Sequence, residues 1–413
     1  MRRFLLVTFL FSAAALAEPA IRLSLPEAEA LWHEHNHEVR LARSAVDGAR
    51  ADLVAAGQRP NPQASMNVLS ISPWSGYGAG GWKDKKMDTQ LRIDQVLERG
   101  GKRELRQKGA EARLAAARRD LDDTGRQQLM ALQLAYYDLL LAQDRRTVAV
   151  EAAELYGRSL EAGKLRHRAG DASLVEMSRL QIEKSRADNE ARQSQADLEG
   201  AQAALAYLVG RETEAERLVA ADPWPPVEDR DLAARPPEER ADVEAARQRV
   251  VAAEAARDLA KAQKRRDVTV GLQVEHNLQN NPTNSYGFGV SVPLFIWHEY
   301  EGEIGRAEAD LDAARGLYAR TLAQAVGDVS QAKSALQAAR ERRRRLETGL
   351  LADAEKVARA AEFAYAKGAM GLMDLLDARR TLRQVQVEAA TARADHAKAL
   401  ATWRLQAEFG KTK

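Results

Sequence analysis

The chain contains no cysteine among its 413 residues. That excludes disulfides, thiolate metal sites, cysteine nucleophiles and a lipid anchor on an N-terminal cysteine. Net charge is almost absent as well. The 62 basic and 60 acidic side chains leave only +2, so the concentrated basic face of a nucleic-acid binder has no support. Aromatics make up 5%, which suits thin alanine-lined seams between helices better than a thick aromatic core. Beyond residue 17 no long apolar run exists, so no mature segment reads as a transmembrane helix. A mature protein of this kind enters a membrane only as strands of a closed barrel.

Residues 1–17 read as a secretory signal. Arg2 and Arg3 supply the positive start, Phe4 opens the apolar run, and Ala15-Leu16-Ala17 is a small-residue cleavage site, placing the mature start at Glu18. The run is about 13 residues, short of the roughly 20 that a spanning helix needs.

The mature chain opens with an expected helix over 25–57, entered through Pro26 in its first turn. Its Trp32-His33-Glu34-His35-Asn36-His37-Glu38 run sets His33 and His37 four apart. On one helix they share a face, as metal-binding imidazoles can. No third ligand follows from the spacing, and a polar helix start is the alternative. Gln58-Arg59-Pro60-Asn61-Pro62 ends the helix. Two strand-like segments follow, the first with Asn67, Leu69 and Ile71 on one face, the second with Leu91 and Ile93 opposed to Arg92 and Asp94. Between them, residues 73–82 form a glycine-aromatic loop suited to a membrane interface, where Trp and Tyr collect. Leu97-Glu98-Arg99-Gly100-Gly101-Lys102-Arg103 is read as a strand-to-helix turn. A phosphate loop is excluded by the glycine spacing and by the lack of Ser or Thr after the lysine.

From 102 to 165 there is no proline and little glycine, and a helix of that length would reach about 95 Å. Leu114, Ala117, Leu121, Leu132, Ala135 and Leu139 offer coiled-coil-like seams. After a turn at Arg168-Ala169-Gly170, a return helix is expected over 173–209. Residues 210–239, with Pro223, Pro225, Pro226, Pro236 and Pro237, read as a linker without regular structure. The pattern then restarts with a helix over 240–265. In the first strand after it, Val268, Val270, Leu272 and Val274 alternate with polar positions and glycine. In the second, Tyr286, Phe288, Val290, Val292 and Leu294 do the same. The turn Asn280-Asn281-Pro282-Thr283-Asn284 joins the two. The second long helix is expected over 299–366. Its Arg340-Glu341-Arg342-Arg343-Arg344-Arg345 run reads as a solvated outer face.

The second long helix ends in the stretch 365–382, YAKGAMGLMDLLDARRTL, a glycine turn followed by Asp374 and Asp377. The earlier stretch 167–181, HRAGDASLVEMSRLQ, is a weaker copy. It pairs Gly170 with Gly368, Leu174 with Leu372 and Glu176 with Asp374 at one constant offset. The domain organisation follows: a signal at 1–17, a first repeat over 18–210, a linker over 211–239 and a second repeat over 240–413. Each repeat is helix, two strands, long helix, turn, helix. Four strands cannot close a membrane barrel, and lipid tolerates no open edge, so the chain must oligomerise. Three copies supply twelve strands, above the minimum of about eight.

With these features the mature chain resembles the TolC family of outer-membrane efflux channels over essentially its whole length. The motif at 97–103 is similar to the ELGGKR-type motif of the CzcC-like subgroup that serves heavy-metal efflux. Ser291-Val292-Pro293-Leu294-Phe295, with Gly302-Glu303-Ile304-Gly305-Arg306-Ala307-Glu308-Ala309, is similar to its second-repeat counterpart. Tyr300-Glu301 stands where that subgroup usually has asparagine and glutamine. The resemblance implies a mainly α fold with a membrane β-barrel. It implies a homotrimer whose twelve-stranded barrel sits in outer-membrane lipid and continues as an α-helical tunnel through the periplasm of a Gram-negative cell. It further implies a periplasmic adaptor and an inner-membrane pump as partners, with the adaptor meeting tips at Gly170, Leu174, Gly368 and Leu372, and no cofactor.

Asp374 and Asp377 match the acidic pair that rings the closed tip in TolC. Three apart, they share a helix face, and a threefold ring of such carboxylates attracts cations. Tyr365 matches a tip-tying tyrosine, and Glu176 stands where a partner aspartate is found. Met370 replaces the arginine expected in the second turn, and Val175 a threonine, so the latch here must differ. The leading function is a passive efflux channel for divalent heavy-metal cations. Channels for organic compounds or for type I protein secretion are the alternative within this fold, and a structural periplasmic coiled coil the alternative outside it. No nucleophile-base pair or metal triad points to an enzyme.

Overall fold

The structure, a computed structural model, describes residues 19–71, 74, 87–227, 234–277 and 283–407. The leader at 1–17, most of the loop at 73–82 and part of the turn at 280–284 lie outside the described residues. The first half contains β1 (Ile21–Leu23), α1 (Leu25–His35), α2 (His37–Gly57), β2 (Gln63–Leu69), β3 (Asp88–Leu97), α3 (Lys102–Arg168) and α4 (Leu174–Val209). A short strand, β4 (Leu218–Ala220), precedes the second half. There follow α5 (Ala241–Ala262), β5 (Val268–Asn277), β6 (Thr283–Ser291), α6 (Glu301–Arg345), α7 (Leu351–Ala366) and α8 (Leu372–Ala407). The expected order of helix, two strands, long helix, turn and helix therefore occurs twice. The 67 residues of α3 make a helix of about 100 Å.

Two compact units are distinguished. One takes the chain up to His37, Arg126–Ala234 and the chain from Val329; the other takes Glu38–Gly125 and Arg235–Asp328. In the second unit, β2, β3, β5 and β6 form a four-stranded antiparallel sheet in that order. Its register sets Ala64, Ile93, Leu272 and Phe288 in one cross-strand row, and Met66, Leu91, Val274 and Tyr286 in the next row of the same face. Most of this face is exposed: Leu272 at 71% and Phe288 at 82%. The opposite face carries Ser65, Arg92, Gln273 and Gly287 in one row and Gln63, Asp94, Gly271 and Gly289 in another. Leu91 and Ile93 oppose Arg92 and Asp94 as expected. In the first strand Asn67 and Leu69 share a face as expected, and it is the polar one, Asn67 bonding Gln90 at 3.1 Å, while the expectation for Ile71 is corrected: it falls beyond the strand. Period-two patterning left open which set faced the apolar row, and only pairing to β3 decided it.

In the first unit, buried side chains line the helix seams. Leu132 and Leu139 are fully enclosed, while Ala332, Leu336, Leu400, Trp403 and Ala407 form a cluster between α6 and α8. Three sequence-based expectations change here. The helix over 25–57 is interrupted. Buried Asn36 is extended at ψ 123°, caps α1 through its N–H to Trp32, and reaches Gln128 at 3.4 Å. His33 and His37 therefore sit on different helices and share no face. The His33 ring meets Trp32 edge-on at 6.2 Å, whereas His37 approaches Glu212 at 3.9 Å and Tyr207 at 6.3 Å. Among the described residues, no group of three potential ligands could hold a metal.

The linker is also more regular than its prolines suggest. Residues Glu212–Arg217 form a 3-10 turn, and β4 pairs in parallel with β1. Buried Tyr136 organises the join: its hydroxyl accepts from the N–H groups of Ala221 and Asp222 and lies 2.9 Å from the Leu23 carbonyl. Desolvation pushes that phenol up to about 12. Finally, the arginine run is only partly solvated. Arg343 is buried, donating to the Pro225 carbonyl at 2.6 Å and to His396 Nδ1 at 3.2 Å. It also meets Glu347 in a π-turn, Leu346–Leu350, that separates α6 from α7. Buried charge demands partners, and the facing α8 and the linker supply them.

Candidate functional site

Both hairpin tips are built by one device. At the first, Gly170 N–H bonds the His167 carbonyl and Asp171 N–H bonds that of Arg166; at the second, Gly368 bonds Tyr365 and Ala369 bonds Ala364. These are paired Schellman closures, which need a left-handed residue after the helix. Gly170 has φ 87° and Gly368 φ 74°, and both face open space. The duplicated turn read in sequence is thus duplicated in hydrogen bonding.

The helices that leave the tips start differently. Ser173 caps α4: its hydroxyl accepts from Glu176 N–H at 3.1 Å, and the Glu176 carboxylate accepts from Ser173 N–H at 2.9 Å. Glu176 is therefore engaged in a capping box and makes no contact with Tyr365 in this chain. In the second tip, Gly371 takes the capping place and has no side chain to offer. Asp374 and Asp377 share one exposed face of α8, and neither makes a hydrogen bond or ion pair among the described residues. Asp374 lies in the first turn of α8, where the helix dipole favours a carboxylate.

The rest of α8 is buried on two sides. Leu372 and Leu376 pack with Tyr156, Leu160, Leu180 and Ala187 of the first hairpin, and Leu375 and Ala378 pack with Ala361. The two leucines paired by the repeat hence differ: Leu174 is 62% exposed and Leu372 only 8%.

Tyr365 finds a partner that the spacing did not mark. Arg166 donates to its hydroxyl at 2.8 Å and lies 5.7 Å from the ring centroid. Above this contact, arginines of α8 tie the hairpins together. Arg379 reaches Ser159 at 2.8 Å and Glu362 at 3.1 Å, Arg380 pairs with buried Glu183, and Arg383 pairs with Glu190. The Arg380 guanidinium holds the Glu183 carboxyl below the usual carboxylate range. Sequence reasoning missed this ladder, whose only visible trace is the cluster of arginines at 379, 380 and 383.

The second functional surface is the sheet. Strands β3 and β5 have ten residues each, the length of a tilted membrane-spanning strand. Strands β2 and β6 are the outer members, each with one edge unpaired among the described residues. Among the described residues, no helix is long and apolar enough to cross a membrane.

Comparison with known proteins bears on both surfaces. The family model described as "outer membrane efflux protein" matches residues 31–211 and 237–405. The cobalt-zinc-cadmium resistance protein CzcC of Cupriavidus metallidurans is 26% identical over 384 residues, covering 90% of this chain and 86% of that protein. Among solved structures, the CmeC outer membrane channel of Campylobacter jejuni superposes with a TM-score of 0.79 at 15% identity, over 92% of this chain and 85% of that one. The outer membrane protein VceC of Vibrio cholerae gives 0.74 at 20%, over 92% and 95%. At such identities the structural likeness speaks to the fold, which is the mainly helical, strand-bearing fold of the outer-membrane channels.

Proposed function

The chain belongs to the outer membrane efflux protein family, and from that premise we propose that it is the outer-membrane channel of a tripartite efflux system for divalent heavy-metal cations. The observation that carries the reading is the four-stranded sheet. One face is an exposed apolar surface two complete rows deep, the other is polar, and among the described residues both edges are open. Such a sheet is stable in lipid only when copies close it. Three chains joined β6 to β2 make a barrel of twelve strands around a polar lumen. The channel then spans the outer membrane of a Gram-negative cell.

The helical hairpins carry the conduit into the periplasm, with the repeats at 18–210 and 240–413 as its two building blocks. Export is passive: an inner-membrane pump supplies the energy, and a periplasmic adaptor meets the tips. Gly170, Leu174 and Gly368 are exposed there and form the adaptor-facing surface, while Leu372 supports it from the core. Asp374 and Asp377, repeated threefold, make an acidic ring that favours cations. Tyr365 is a tip latch held by Arg166, and Glu176 shapes the neighbouring turn. The metal substrate rests on the similarity to CzcC over nine-tenths of the chain.

The deciding experiment is a clean deletion strain complemented with the wild-type chain and challenged with metals, dyes, detergents and antibiotics. Sensitivity to zinc, cobalt or cadmium, reversed by complementation, is expected. Sensitivity to organic compounds with normal metal tolerance would overturn the metal substrate and leave the channel.

A further inference from the structure

Among the described residues, Arg92 is the only arginine or lysine within the four sheet strands, and it lies on their polar face. Three acids share that face: Asp88, Asp94 and Glu275. The guanidinium does not stand away from the sheet. Its Nε donates to both Asp94 oxygens, at 2.9 and 2.8 Å, and Nη1 donates to Gln273 Oε1 at 3.3 Å.

What lets it lie flat is the absence of side chains on the next two strands. A Cβ on Gly271 would come within 2.2 Å of Asp94 Oδ1 and 2.8 Å of Arg92 Nη2, and one on Gly289 within 3.2 Å of Arg92 Nη2. A Cβ on Gly287 would crowd Gln273 at 3.1 Å. Neither Gly271 nor Gly289 has a positive φ, so backbone geometry does not call for glycine. The space does.

We infer that Arg92, Asp94 and their glycine bed determine ion selectivity in the lumen, by neutralising the one arginine of the described strands and keeping it out of the ion path. This rests on the barrel reading above. In a lumen a few side chains wide, an uncompensated guanidinium raises the local anion concentration and repels a divalent cation. With Asp94 beside it, each Arg92 contributes no net charge, and Asp88 and Glu275 leave the wall acidic. With Gly271 beneath it, the side chain adds little height to the wall.

The test is reversal potential and unit conductance of the full-length protein in planar bilayers under a potassium chloride gradient. An Asp374→Asn, Asp377→Asn parent removes the acidic tip from the measurement. The parent is expected to remain cation-selective. Asp94→Asn should shift the reversal potential toward that of chloride, Arg92→Gln should shift it toward that of potassium, and the double variant should return it near the parent. Gly271→Ala should lower unit conductance and shift the potential in the same direction as Asp94→Asn. Equal reversal potentials for parent, Asp94→Asn and Arg92→Gln would overturn the inference and leave the channel intact. Failure of the parent to conduct even with the tip latch removed by Tyr365→Phe would instead overturn the barrel reading.

Discussion

At Tyr365 the hydroxyl accepts from Arg166, a residue 199 positions earlier in the chain. The contact is exposed, so its worth to stability is small, about 1 kcal/mol or less. Its position at the junction of two hairpins gives it leverage on the tip. Tyr365→Phe and Arg166→Ala are each expected to raise the resting conductance of reconstituted channels, and the double variant should do no more than either single one. Unchanged conductance in both would remove Tyr365 from the latch. A second residue, His396, is fully buried, and burial together with Arg343 and Arg340 pushes its imidazole down to about 4 from the ordinary 6.5. Glu347 opposes that shift and Arg404 adds to it. A depressed folded-state value means that the unfolded chain binds the proton more readily between pH 6.5 and 4. Stability from this site is therefore present above 6.5 and lost as pH falls toward 4, by on the order of 3 kcal/mol. Urea unfolding of His396→Gln across that range should show a flatter pH dependence than wild type.

Turns and caps decide the behaviour of the elements. Gly170 and Gly368 occupy left-handed positions where a Cβ costs about 1 kcal/mol, and neither has a neighbour to clash with. Gly368→Ala should lower thermal stability by that amount without touching any packed residue. Ser173→Ala should lose a similar amount, about 1 kcal/mol, through its capping box. Calorimetry of the detergent-solubilised protein would separate these from Gly200→Ala. That exposed mid-helix position, also without neighbours, should gain stability because alanine is the better helix former. The join before α6 shows a departure with a visible consequence. Tyr300 adopts φ 63°, a region that asparagine tolerates and tyrosine rarely enters. Its ring lies 5.3 Å from Phe295 and 4.7 Å from His298, so aromatic contact offsets the backbone strain where the CzcC-like pattern has asparagine.

For the whole molecule, the exposed apolar rows are the decisive feature. Phe288 and Leu272 face away from the polar wall, and a charge at such a place costs about 2–4 kcal/mol per chain at the bilayer midplane. Leu272→Arg should sharply reduce assembled trimer in outer-membrane fractions, whereas Gln273→Arg on the opposite face should assemble and alter conductance. Normal trimer levels for Leu272→Arg would mean that this face does not meet lipid. The open edges of β2 and β6 add the same demand for partners, because unpaired backbone groups have nothing to bond in hydrocarbon.

Sequence alone determined what depends on local chemistry and period. Missing proline made the long helices readable, glycine placed both tips, and alternating valine, leucine and aromatics marked three of the four sheet strands with the correct faces, although Val292 and Leu294, read as part of the last strand, fall beyond its end at Ser291. Proline content misled at 212–220, where β4 forms because β1 and Tyr136 supply its partners from distant positions. The face of β2, the break at Asn36 that separates His33 from His37, the burial of Arg343 and Leu372, and the pairing of Tyr365 with Arg166 were decided only by tertiary structure. Each depends on what stands opposite in space, and periodicity within one segment carries no information about an element packed against it.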